Sequence, residues 1–213
     1  VQIGRSRNEE RGNEGVTQQE AAIRLRDLFR GSTIGYGLGG AKAGGLPNVK
    51  VAYSARTIAG APATAKEWVR HLDGAENNHL GIAPARLDGT CSFAALDIDY
   101  DVGVSIPELI SRKWPDTHEC PLIPVLSKSG WLHLFSFFNP RPIDVARAQM
   151  LCHVHDLRLD PSRVDIFPRH AANIYPDQVG SWIFMPYFGS KGEPLSLEEF
   201  IDRAETEVLR SLP

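Results

Sequence analysis

No apolar run in the 213-residue chain approaches the roughly 20 residues that cross a bilayer as a helix, and no stretch has the order of a signal peptide. A membrane partner is therefore not expected. Cysteine is scarce: Cys91, Cys120 and Cys152 are the only three, none in a CxxC pair, and an odd number cannot all be bridged. That excludes a disulfide scaffold and points to a reducing, intracellular setting. Structural zinc is excluded on spacing. His118/Cys120 and Cys152/His153/His155 lack a second ligand pair, and His153 and His155 would point to different sides of a helix. A surplus of positive charge is missing too. Lys and Arg number 23 against 26 Asp and Glu, a net charge of -3 that excludes a general coat for polyanions but leaves local basic patches open. The chain begins at Val1, and the expectation is a portion of a longer protein.

What is present is ordinary globular material, 42% hydrophobic and 23% charged, enough for one large domain or two small ones. Its organising stretch is Phe93 to Tyr100, apolar except for two carboxylates two residues apart. The run is too short for a buried helix and reads as an interior strand. On a strand Asp97 and Asp99 share one face, with Cα atoms roughly 6.5–7 Å apart. Two readings stand at this point, a solvated strand end or a site for one or two divalent cations.

Along the chain, residues 1–16 are polar, unpatterned and expected to be a flexible tail. Thr17 and Glu20 predict a helix start, with Ala22, Leu25, Leu28 and Phe29 as its apolar stripe and Gly31 as a left-handed stop. Gly35 to Gly40 matches GxGxxG but lacks a preceding strand, a following helix and the later acid, so it reads as a loop. Val49 to Tyr53 alternates as a strand. Thr64 and Glu67 open a second helix, with Trp68, Val69 and Leu72 inward. Asn78 to Pro84 reads as a strand, and the turn Leu87-Asp88-Gly89 predicts a hairpin into the carboxylate strand. Ser105 and Glu108 start a helix carrying Leu109, Ile110 and Trp114. Pro124 to Leu126 and Trp131 to Phe138 are strand-like, the latter with Trp131, His133, Phe135 and Phe137 on one face. A helix from Pro142 to about Leu157, strands at Val164–Pro168 and Trp182–Phe188, and a helix capped by Ser196 and Glu199 complete the pattern. Strands and helices interleave irregularly, which predicts an α+β fold.

Asp165 lies on a strand, and His133 follows the loop Ser127-Lys128-Ser129-Gly130, whose hydroxyls, ammonium and backbone suit phosphate oxygens. Three carboxylates are a common protein contribution to a two-ion phosphoryl-transfer site. Taken singly, Asp165 also fits a turn residue, His133 a core histidine, and the loop plain hairpin chemistry.

Three strings together, Asp88 to Asp99, Ser127 to His133 and Val164 to Pro168, resemble the three motifs of the archaeo-eukaryotic primase superfamily. They look most like the primase-polymerase domains of TOTE-type conflict systems and mobile elements. Leu28-Phe-Arg-Gly31 and Gly180 to Pro186 match two further segments of that family, so the likeness spans about residues 25–190. Between Gly130 and His133 this chain has only Trp131 and Leu132, where relatives often have three residues.

The resemblance implies an RRM-like antiparallel or mixed sheet bearing the site, with an N-terminal α/β module packed against it. It implies that Asp97, Asp99 and Asp165 bind two Mg²⁺ or Mn²⁺ ions, and that His133 contacts the incoming nucleotide. Ser127, Lys128 and Ser129 would hold the triphosphate, with Arg169 a further phosphate ligand. The implied activity is template-directed primer synthesis and extension, in a prokaryotic or mobile-element cytoplasm. Partners would be a single-stranded DNA template and primer, dNTP or NTP, and a helicase or other domain in the full-length chain. Template contacts would fall on local Lys/Arg clusters; Arg56, Lys66 and Arg70 read as ordinary surface charge. The expected division is a tail over 1–16, a catalytic domain over 17–195 and a C-terminal helix over 196–213, leading to any further domain. Two rivals carry different chemistry: a two-metal nuclease or phosphodiesterase, and a non-catalytic RRM-like module that binds nucleic acid through aromatics on its sheet.

Overall fold

The computed structural model describes residues 16–41, 53–116, 119–127, 130–170 and 178–212. The first helix, α1 (Gln18–Leu28), starts where Thr17 Oγ1 accepts a hydrogen bond from Glu20 N. Strands β1 (Gly35–Ala41) and β2 (Tyr53–Ala59) follow, then α2 (Ala65–Leu72) behind the reciprocal Thr64/Glu67 capping box. Next come β3 (His79–Ile82), β4 (Thr90–Ile98), α3 (Ile106–Ser111) and β5 (Ile123–Leu126). The long β6 (Leu132–Pro142) runs directly into α4 (Ile143–Asp156). Strands β7 (Val164–Phe167) and β8 (Ile183–Phe184) precede α5 (Leu197–Arg210), which has its own capping box from Ser196 and Glu199. Among the described residues this is a mixed α+β fold with two four-stranded antiparallel sheets and five helices. None of those helices is long and apolar enough to cross a membrane.

The first sheet has the order β2-β1-β3-β8, so the chain returns to it after building the second, whose order is β5-β6-β4-β7. Strand β4 is interior, paired with β6 on one side and β7 on the other. Its side chains alternate between two cores. Ala94, Leu96 and Ile98 pack with Leu109 of α3 and with Met150 and Val154 of α4. Phe93 and Ala95 point the opposite way, into a core shared with α1, α2, α5 and the first sheet. Burial on both faces explains why every residue from Cys91 to Leu96 is enclosed. At the centre of the shared core sits Phe29, just past the end of α1. Its ring lies 5.0 Å from those of Phe93 and Phe137, 5.3 Å from Phe135 and 5.6 Å from Trp68. Arg24 of α1 fastens the outside of the same junction, its Nε and Nη2 donating to Glu205 of α5 at 2.8 and 2.7 Å.

Several expectations are corrected. Gly35 to Gly40 is a strand, not a loop. A Cβ at Gly37 would lie 2.4 Å from the Trp182 ring, and one at Gly39 would lie 2.4 Å from the Phe184 ring. Aromatics from beside and within β8 thus cover the ground that β1 leaves bare, as large rings do over strand glycines. Gly31 is not a left-handed stop: α1 ends earlier, and a Cβ at Gly31 would lie 2.0 Å from Ala83 O, so close backbone approach is what requires glycine there. The Leu87-Asp88-Gly89 turn forms, closed by Arg86 N donating to Thr90 O at 2.9 Å, but it joins no hairpin. Strand β3 pairs with β1 and β8 while β4 belongs to the other sheet, because Pro84 ends the first ladder and the chain crosses between sheets. The strand expected over Trp182–Phe188 shrinks to two residues, since Pro186 has no N–H and Tyr187 turns left-handed at φ 67°. Trp114 lies beyond the end of α3, and Trp131 is exposed just before β6. Of the strand expected over residues 49–53, only Tyr53 lies within the described residues, as the first residue of β2.

Because Phe29 joins α1 to both sheet-facing aromatics and α2, Phe29→Ala is expected to lower stability by about 3–5 kcal/mol, read as the drop in the urea midpoint. A loss under about 1 kcal/mol would show that the junction is held elsewhere.

Candidate active site

Strand register builds the site. On the face of β4 that points to the shared core, each step places one residue from each of four strands in a row. Ile123, Phe135, Ala95 and Phe167 form one row, all apolar. The next row is Val125, His133, Asp97 and Asp165. Exposure climbs along that row: Val125 is 1% exposed and His133 7%, while the Asp97 and Asp165 side chains reach 21% and 52%. The sheet face is therefore apolar until its last row, and polar where it opens to solvent. Asp99 lies one step further, just past the end of β4.

Asp97, Asp99, His133, Ser127 and Gly130 line one wall of a cleft of about 1110 Å³. The facing wall is Phe184 to Glu193, the chain leaving β8. Buried His71 of α2 fixes this wall. Its Nε2 lies 2.7 Å from Pro186 O, so that nitrogen carries the proton, and its Nδ1 accepts from Leu80 N at 3.1 Å. Tyr187 Oη donates to Leu195 O at 3.0 Å, and Ser190 Oγ donates to Leu72 O at 2.9 Å. These bonds hold Tyr187 and Ser190 in left-handed conformations, φ 67° and 56°, of the kind found at ligand-contacting segments. Leu126 N donates to Glu193 O at 2.7 Å, joining the two walls at one end.

The residues expected from the sequence divide as follows. Asp97, Asp99, His133 and Ser127 meet at the cleft. Asp165 shares the row of Asp97 but does not line the cleft; its carboxylate is ion-paired with Arg169 four residues on. Arg169 therefore sits on a carboxylate. Lys128 and Ser129 lie outside the described residues. Ser127 Oγ accepts from Trp131 N at 3.1 Å, which shapes the turn and leaves the hydroxyl proton to donate.

Charge at the cleft is unbalanced. Asp73, Asp97, Asp99 and Glu193 line it, and Lys191 is the one Lys or Arg among the described lining residues. His133 Nε2 approaches Asp97 Oδ1 to 3.1 Å without the alignment of a hydrogen bond, so that buried oxygen has no donor among the described residues. A buried carboxylate oxygen left in this way is unfavourable, and a hard cation bound by oxygen would satisfy it. The donor set of Asp97 and Asp99 thus fits Mg²⁺ or Mn²⁺. Among the described residues no three His, Cys, Asp or Glu side chains converge as a ready metal cluster, in keeping with the engagement of Asp165 by Arg169. Sequence reasoning passed over Lys191 and the wall around it. The signal was there: Gly189-Ser-Lys-Gly192 has nearly the composition that marks the Ser127 loop.

Burial lowers the pKa of His71 from its usual value to about 4, against the raising effect of its bond to Pro186 O. Between pH 6.5 and about 4 only the unfolded chain takes up that proton. Stability from this group is therefore complete above pH 6.5 and falls with pH through the window, on the order of 3 kcal/mol in all. Urea midpoints measured from pH 7.5 down to 4 should fall more steeply in the native protein than in His71→Asn. Equal slopes would assign the acid sensitivity to other groups.

Set beside known proteins, the chain matches no protein-family model, and no curated protein is significantly similar to it in sequence.

Proposed function

We propose that the chain is a metal-dependent nucleotidyltransferase, the catalytic domain of a primase-polymerase that copies a nucleic-acid template. The observation that carries this reading is the row of His133, Asp97 and Asp165 across three adjacent strands, with Asp99 one step on in the cleft. The supporting scaffold is RRM-like. From β4 to β7 the elements run β-α-β-β-α-β, with the first strand central and the order β5-β6-β4-β7. A module that merely binds nucleic acid through sheet aromatics is disfavoured by burial. Phe93, Phe135, Phe137 and Phe167 are at most 4% exposed and cannot stack on bases.

In this reading Asp97 and Asp99 hold two Mg²⁺ or Mn²⁺ ions, and Asp165 joins them when it exchanges Arg169 for metal. When bound, the ions neutralise the triphosphate and stabilise the attacking and leaving oxygens. The protein supplies position: His133 and the Ser127 turn border the nucleotide from one wall, and Lys191 meets phosphate charge from the other. A template-aligned 3′-hydroxyl attacks the α-phosphate, and pyrophosphate leaves. Catalysis rests on orientation and charge neutralisation rather than on a covalent enzyme intermediate. A cleft lined by four carboxylates and one lysine would repel a bare triphosphate, which makes dependence on divalent cations a physical requirement here.

Primer-independent synthesis on labelled single-stranded DNA, with Mn²⁺ and all ribo- and deoxynucleotides, tests the proposal. Asp97→Ala and Asp99→Ala should each reduce product by roughly 10²–10³-fold while the fold persists. Template cleavage without added nucleotides would favour hydrolysis instead. Arg169→Ala should tighten Mn²⁺ binding two- to fivefold in calorimetric titration, since an exposed ion pair is worth about 1 kcal/mol or less. Unchanged or weaker binding would mean that Asp165 is not a ligand held in reserve.

A further inference from the structure

A second cavity, of about 240 Å³, opens at the carbonyl end of α1 and shares no lining residue with the cleft. Arg26, Arg30 and Arg86 line it, together with the hydroxyl residues Ser32 and Thr33, and Asp27 is the single carboxylate among its lining residues. In a chain of net charge -3, this is a local surplus of the opposite sign. Arg26 Nε and Nη2 both donate to Asp27 Oδ1, at 3.0 and 2.8 Å. Arg30 Nε donates to Asp27 O at 2.9 Å, and its terminal nitrogens make no bond among the described residues. Arg86 Nη2 lies 3.7 Å from Asp88 Oδ2, beyond hydrogen-bond range. Ser32 is 7% exposed, and its Oγ accepts from Ile34 N, which leaves the proton to donate. Planar guanidinium groups beside hydroxyl donors, over an apolar floor of Phe29, Trp68 and Ile82, suit a tetrahedral oxyanion.

We propose that this pocket binds a phosphate group of a nucleic-acid strand that also enters the cleft. Arg86 sits at the start of β4, bonded to Thr90, and Asp97 lies near its far end. At roughly 3.3 Å per residue the two places are on the order of 20 Å apart. One nucleotide at Asp97 cannot reach the pocket, whereas a strand of about six nucleotides spans that distance at 3.4 Å per step. The choice of a strand as the phosphate's source rests on the nucleotidyl-transfer reading; the affinity for phosphate does not.

Fluorescence anisotropy tests it, with a labelled oligothymidylate long enough to span both places, a trinucleotide, and inorganic phosphate as competitor. In Arg30→Ala/Arg86→Ala the long strand should bind about tenfold more weakly, and its log–log salt slope should flatten by about 1.4, roughly 0.7 for each lost phosphate contact. Arg30→Lys/Arg86→Lys should recover part of that loss, and the trinucleotide should be insensitive to all these changes. Unchanged affinity and slope in a variant whose circular dichroism is native would overturn the proposal. Loss of inorganic-phosphate binding alone, with the long strand unaffected, would overturn the strand as its source. Asp97→Ala should bind the long strand normally. If it also kept synthesis, the nucleotidyl-transfer reading would fall while the arginine result stood.

Discussion

The contact on which the rest depends is the packing of Phe29 against rings from β4, β6 and α2. An α-helix, a sheet and a second helix meet there at centroid distances of 5.0 to 5.6 Å, several edge-on, as aromatic quadrupoles prefer. With this junction filled, one face of the second sheet is sealed by apolar rows, and its polar row can lie only at the open end. The site is where the core stops.

This arrangement accounts for the mixed character of the cleft. Asp97 belongs to a strand whose neighbours on both sides are fully enclosed, so its backbone position is rigid while one oxygen lacks a donor. A residue held so firmly and left so poorly satisfied stores an affinity for cations. Asp165, on the short edge strand and far more exposed, shares its charge with Arg169. The facing wall has the opposite construction, a left-handed irregular segment tied down by side-chain bonds from α2 and from the residues just before α5.

Much of the candidate site could be read in the residues, because strand periodicity is local. The i, i+2 placement of Asp97 and Asp99, and the strand character around His133 and Asp165, need only the alternation of apolar and polar side chains. Helix starts were equally legible, since a threonine or serine three residues before a glutamate states its own geometry. What the sequence hid were relations between distant segments. Gly35 to Gly40 looks like a loop until Trp182 and Phe184 are laid across it, and the Asp88 turn looks like a hairpin until its two strands enter different sheets. His71, unremarked in the sequence, secures the Pro186 wall only because the chain doubles back beside it.

The return of β8 to the first sheet has a consequence for how the molecule comes into being. Gly81 and Phe184 pair only after the entire second sheet has been threaded between them, so a long loop must close before that ladder forms. During synthesis the carboxylate row is made well before the segment opposite it emerges. An incomplete chain therefore exposes its acids on a half-built face with no cleft around them. The capacity to enclose a substrate arrives as a late, single event, when the last strand docks.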